Sequence, residues 1–453
     1  MALKDQWGNP VSAASRDALA RYEQAAEAFL GFSGRAWELA DAAVDADPGF
    51  VMGHCQKAGL RAVAMEKTFE PQMRPAVEAA ERLVARANER ERAHVAALRA
   101  LVDGEWREAL RRYGNLLIEH PRDTLALQIA HALDFYLGQS QMLRDRIARV
   151  LPYWSESVPG YGYLLGMHAF GLEETGDYAR AERTGREAVE RHRNDVWAIH
   201  AVSHVMEMQG RASDGVGWLK PRAGDWAAPD NLFTIHNAWH LALFHLDLAE
   251  HGEALRIYDE RLRNGNSMVA LDLVDASAML WRMHLRGIDV GGRWNEIADA
   301  WAPSIEGGWY AFNDCHAAMA FVGAGRNADA DALIAAMERR AAGAGTNAEM
   351  TREVGIPAAR AIAAFGRGDY ATAVELLDPL RLVAHRFGGS HAQRDVLALT
   401  LVEAALRAGQ ARLARALAAE RMNVKPSSPF NRALTERTRA ALRQRGDQGD
   451  AAA

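Results

Sequence analysis

Apolar residues recur along this chain at intervals of three and four, with Ala, Leu, Arg and Glu prominent throughout. Strand-like alternation of Val and Ile is hard to find, and only 14 prolines interrupt 453 residues, so the pattern predicts helix after helix. Glycine punctuates it. Gly104, Gly138, Gly176 and Gly210 are spaced by 34, 38 and 34 residues, each where one periodic stretch ends and the next begins. A glycine there supplies the left-handed turn that stops a helix. The residues after Gly104, Gly176 and Gly368 are alike: Glu-Trp106-Arg-Glu-Ala109, Asp-Tyr178-Ala-Arg-Ala181 and Asp-Tyr370-Ala-Thr-Ala373. An aromatic wedge and then a small residue let two antiparallel helices approach closely. Ala36, Ala109, Ala181, Ala254, Ala330 and Ala373 read as equivalent small positions, the first four being 73, 72 and 73 residues apart, about two units each. Prolines after Glu119-His120 and after Asp45-Ala46-Asp47 close two of the units.

The expectation is an all-α solenoid, a superhelix of antiparallel helix pairs with no sheet. It fills residues 1–443 as a single domain of roughly a dozen hairpins, with 444–453, which has no apolar face to bury, as a disordered tail. The helix-turn-helix unit of 34 residues resembles the tetratricopeptide repeat. More closely, Phe50-Val-Met-Gly-His54, Asp134-Phe-Tyr-Leu-Gly138, His236-Asn-Ala-Trp-His240, Leu273-Val-Asp-Ala-Ser-Ala-Met-Leu280, Phe312-Asn-Asp-Cys-His316 and Gly388-Gly-Ser-His-Ala-Gln-Arg-Asp-Val396 resemble the tetratricopeptide repeat protein 38 family. That resemblance spans nearly the full length; it implies a repeat fold and leaves the chemistry open.

Composition narrows the partners. A content of 49% hydrophobic and 25% charged residues is that of a folded globular chain. Lys+Arg 53 against Asp+Glu 59 leaves a charge of −6, which favours neither nucleic acid nor an anionic membrane. Cys55 and Cys315 make neither a disulfide framework nor a CxxC zinc knuckle, which suits a reducing compartment. Lys4, Asp5 and Gln6 stand where an export signal would be apolar, and Leu397 to Leu406 is broken by Glu403, so the expected location is the cytoplasm.

Sixteen histidines remain to be explained, and they cluster. Trp197, His200, His204 and Glu207 fall on one stripe of a helix, with Ile199, Val202 and Met206 on the opposite stripe; counted from Gly210 as the turn glycine, the resemblance to tetratricopeptide repeats implies a helix start near Val196. By resemblance to tetratricopeptide repeats, the first stripe lines a concave ligand-binding surface and the second serves the core. His236 and His240 repeat the four-residue spacing beside Trp239; Asn313, Asp314 and His316 form a third group, and Asp272 and Asp275 are additional acids. Neutral imidazoles with carboxylates suit a divalent metal such as zinc, iron or manganese, and His200, His204, Glu207, His236 and His240 are the candidate ligands. The HExxH signature is absent, because Ala201 follows His200. The same groups serve equally as acid and base on a small molecule. A single repeat-helix histidine, by contrast, more often hydrogen-bonds a neighbouring helix.

Two functions are consistent with this pattern. In one, the superhelix closes around a His/Glu/Asp-lined pocket that binds a small molecule or metal, with or without catalysis. In the other, the concave groove is an interaction scaffold for a peptide or protein; the Trp, His, His and Glu of its best-defined positions differ from the Lys, Arg and Asn of carboxylate-binding repeats.

Overall fold

The computed structural model describes residues 3–450, the side chains of 445–450 excepted. Of the expected disordered tail, 444–453, the backbone of 444–450 falls on the last helix and residues 451–453 lie outside that description. Among the described residues the chain is all-α: eleven helical hairpins succeed one another from Arg16–Leu30 and Arg35–Ala46 to His391–Arg407 and Ala411–Val424, and a last helix, Pro429–Asp450, comes after them. This is a tetratricopeptide-repeat-like α-solenoid construction. One departure from the expected absence of sheet is a ladder of two residues per strand, Leu3–Lys4 against Pro10–Val11. Asp5 makes it: its Oδ1 accepts from the backbone N–H groups of Trp7 and Asn9, closing a turn too short for helix.

Each hairpin turns through a left-handed residue, that before Arg293–Trp301 through two, Gly287 and Gly291. Glycine supplies it at Gly104 (φ 84°), Gly138 (63°), Gly176 (82°), Gly210 (69°) and again at 287, 325, 368 and 409. In the remaining three hairpins Phe32, Met65 and Ala249 adopt it at φ 54°, 52° and 62°, which is why glycine spacing alone undercounts the repeats. The small positions are closed as expected: Ala36, Ala109, Ala181, Ala254, Ala330 and Ala373 are all fully buried. Trp106 is buried with them, while Tyr178 and Tyr370 are half-buried at the hairpin edge.

The chain divides into two units, residues 1–202 with 223–234 and 344–347, and residues 203–222 with 235–343 and 348–453. In the first, Val51–Ala62 packs against Glu89–Val102, Thr124–Tyr136 and Arg16–Leu30. Gln56 Nε2 donates to the Tyr22 carbonyl at 3.0 Å there. Charge is buried as a network: Asp123 takes Arg90 Nη1 at 2.5 Å and His94 Nε2 at 2.9 Å. Burial works against its ionisation, yet His94 and Arg90 hold the carboxyl well below the usual range.

In the second unit, Ala270–Leu285 packs against Ala311–Gly323 and also against His391–Arg407, a hundred residues further on. Trp281 Nε1 donates to Thr400 Oγ1 at 2.9 Å, and Arg282 Nη2 to the Ala392 carbonyl at 2.8 Å. The end of the unit returns to its beginning: Lys425 Nζ reaches Glu207 Oε1 at 3.0 Å, and Ser428 Oγ donates to Asp247 Oδ1 at 2.7 Å.

Candidate functional site

Helix Val196–Gln209 departs from the expected division into an open polar stripe and a core stripe. Trp197, His200 and His204 are buried at 7%, 2% and 0% exposure, and Ile199, Val202 and Met206 are buried too. A helix closed on both stripes must find partners for its imidazoles inside the protein.

Residues up to Val202 belong to the first unit, and there Trp197 and His200 enter an aromatic cluster. Trp197 stacks on Phe32 (centroids 5.2 Å apart) and meets Phe170, Phe233 and His131. The His200 ring lies 5.4 Å from Phe170 and 5.3 Å from Phe233.

His204 belongs to the second unit, where it meets the pair on Thr234–Asp247. Its ring centroid is 4.6 Å from that of His240, and His240 is 5.0 Å from His236. The three residues offer one ligand atom each within 4.8 Å of one another. All three are buried. The four-residue spacing on one helix brings His236 and His240 to the same face, and the stacking of successive first helices supplies His204.

The groups around the three imidazoles set their chemistry. His236 Nδ1 and Asp275 Oδ2 are 2.8 Å apart, and Asp275, on Ala270–Leu285, has no exposed surface. Burial raises the Asp275 carboxyl above its ordinary range, with His236 opposing. Burial drives His240 well below the usual imidazole value, and His204, His236, Arg282 and Lys425 push it the same way. The ring is therefore neutral at physiological pH and keeps a lone pair for a ligand. Trp239, also closed to solvent, stacks on His236 at 5.3 Å, with the Arg282 guanidinium 5.3 Å from its own ring.

The other expected site residues have different partners. Glu207 pairs with Lys425. Asp314 pairs with Arg340 at 2.8 Å, and burial raises its carboxyl to about 6. His316 Nδ1 donates to the Phe312 carbonyl at 2.8 Å, and burial lowers that imidazole to about 4. Asp272 accepts from Ser267 Oγ at 2.6 Å. Ser390 caps His391–Arg407 in a capping box with Gln393, which accounts for the Gly388-Gly389-Ser390 sequence as a helix start.

Sequence reasoning missed the cations around this interior: Arg282, Arg286, Arg421 and Lys425. Arg282 carried a signal, a lone charge inside Ala278-Met-Leu-Trp-Arg-Met283. The others have no local mark, because the segments that bury them come from distant hairpins.

Fold and repeat together define the class: a helical-hairpin repeat protein, a scaffold of stacked antiparallel pairs. No family model matches the chain. Among solved structures, yeast Tom70 aligns with 95% of this chain and 90% of its own, at 11% identity and a TM-score of 0.33. No helix among the described residues is long and apolar enough to cross a membrane.

Proposed function

We propose that the repeat scaffold holds a divalent transition metal at His204, His236 and His240, and that this centre binds or transforms a small molecule. The observation that carries the reading is the 2.8 Å contact between His236 Nδ1 and Asp275. A carboxylate on one ring nitrogen fixes the tautomer and the ring orientation, and is the usual second partner of a metal-bound histidine. Three protein ligands leave a coordination position for water or substrate. We also read the chain as a relative of the tetratricopeptide repeat protein 38 family, working in the cytoplasm.

The test is elemental analysis of untagged full-length protein purified without chelator, and again after incubation with zinc, iron(II) or manganese. The expected result is close to one metal per chain, lost in His204→Ala and His240→Ala with helicity retained. Wild-type protein that holds none of the three metals overturns the reading. A peptide or protein laid along the repeat is the competing function, which the fold class favours. A pull-down with a saturable partner and a metal-free protein would select it.

A further inference from the structure

A second feature of the 203–453 unit lies outside the histidine cluster. A cavity of about 30 Å³ is lined by Arg282, Arg286, Arg421 and Lys425 together with Glu207, Asp247 and Asp395. That is room for about two water positions, or for the oxygens of one small oxyanion group.

The charges do not cancel. Arg421 is spent on Asp395, at 2.5 and 3.0 Å, and Lys425 on Glu207. This leaves Arg282 and Arg286 facing one carboxylate, Asp247, whose Oδ1 accepts from Ser428 and whose Oδ2 is buried without a hydrogen-bond partner. Arg282 donates to backbone carbonyls, those of Ala278, Ala392 and Gln393. Arg286 donates through Nη1 to the Leu246 carbonyl, and its guanidinium lies 3.6 Å from the Phe430 ring centroid. Its Nε is buried without a hydrogen-bond partner. The Nε–Nη2 edge is the one that takes an oxyanion in two parallel bonds, and aromatic stacking holds the guanidinium plane in place for it. Burial also depresses both guanidiniums, Arg286 to about 9, as a missing counter-charge would.

We propose that this cavity binds the oxyanion head, carboxylate or phosphate, of a small anionic ligand through the free edge of Arg286, with Arg282 supplying the second positive charge. The occupant neutralises the excess guanidinium and satisfies its Nε. Asp247 limits affinity, because it is the one acid in the cavity that competes with the anion.

The experiment is calorimetric titration of full-length protein with sodium acetate and, separately, with inorganic phosphate, ionic strength held constant with chloride. Saturable binding of acetate, of phosphate or of both supports the site, and which of the two binds tells a carboxylate head from a phosphate head. Arg286→Met should weaken binding at least about tenfold, and Arg286→Lys, which keeps the charge and loses the fork, should weaken it as well. Asp247→Asn should tighten it, a direction that a merely structural role would not produce. No saturable binding of either anion, or binding unchanged in Arg286→Met, overturns the proposal. Metal content of Arg286→Met should match wild type, so this inference and the metal reading fail independently.

Discussion

His236 Nδ1 stands 2.8 Å from Oδ2 of Asp275, across two helices whose contacting residues are 39 positions apart, with both side chains closed to solvent. The contact joins the proposed ligand set to the next hairpin. Asp275→Asn keeps the shape and removes the charge that orients the ring. Metal affinity should fall roughly 10- to 100-fold with little change in circular dichroism. A competition titration against a chromophoric chelator measures it, and an unchanged affinity would take the orienting role away from Asp275.

Ala249 occupies the left-handed turn position that glycine fills in most of the hairpins, at φ 62°. A Cβ is disfavoured there, so Ala249→Gly should stabilise the protein by about 1 kcal/mol. Glycine also widens the unfolded ensemble, which trims the gain. Denaturant unfolding of the two proteins gives the comparison; a destabilised variant would contradict it.

Gly171 marks a close approach of one helix to the backbone of another within the first unit. A Cβ built there would lie 2.4 Å from the Arg144 backbone nitrogen, and backbone cannot swing aside as a side chain can. Gly171→Ala should therefore force Tyr161–Glu173 away from Ser140–Val150 and cost about 3 kcal/mol. Gly217→Ala, on a helix where the added Cβ meets nothing within 4 Å, is the control and should be neutral or slightly stabilising. Equal melting temperatures for the two variants would refute the packing argument.

His131 sets a pH dependence. Its ring lies among Phe170 and Trp197, and neither ring nitrogen has a hydrogen-bond partner. Burial, helped by Arg146, lowers its imidazole to about 3 from 6.5. The folded state then binds fewer protons than the unfolded state. Stability from this residue is complete above pH 6.5 and is lost as pH falls toward about 3. His131→Phe should remove that dependence and make the stability profile shallower by up to about 1.4 kcal/mol per pH unit. Parallel slopes for both proteins across this window would show that His131 stays neutral or titrates alike in both states.

The repeat was legible because its signals are local. Helical periodicity, the left-handed glycines and the buried alanines each involve a few neighbouring residues, and all reappear in the structure. The left-handed turn residues Phe32, Met65 and Ala249 escaped, since packing there imposes a conformation that the residue itself disfavours. For the site, four-residue spacing placed His236 and His240 together and marked His204 as a companion. Spacing cannot tell a stripe that faces an open groove from one sealed by later hairpins, and the buried Trp197, His204 and Trp239 are the outcome. The pairing of His236 with Asp275, the separation of Asp314 and His316 into other contacts, and the meeting of Glu207 with Lys425, 218 residues away, were decided by tertiary structure alone. Periodicity determines which face a side chain takes on its own helix; which partner, charge or cavity that face meets depends on how distant hairpins stack, and no local spacing encodes it.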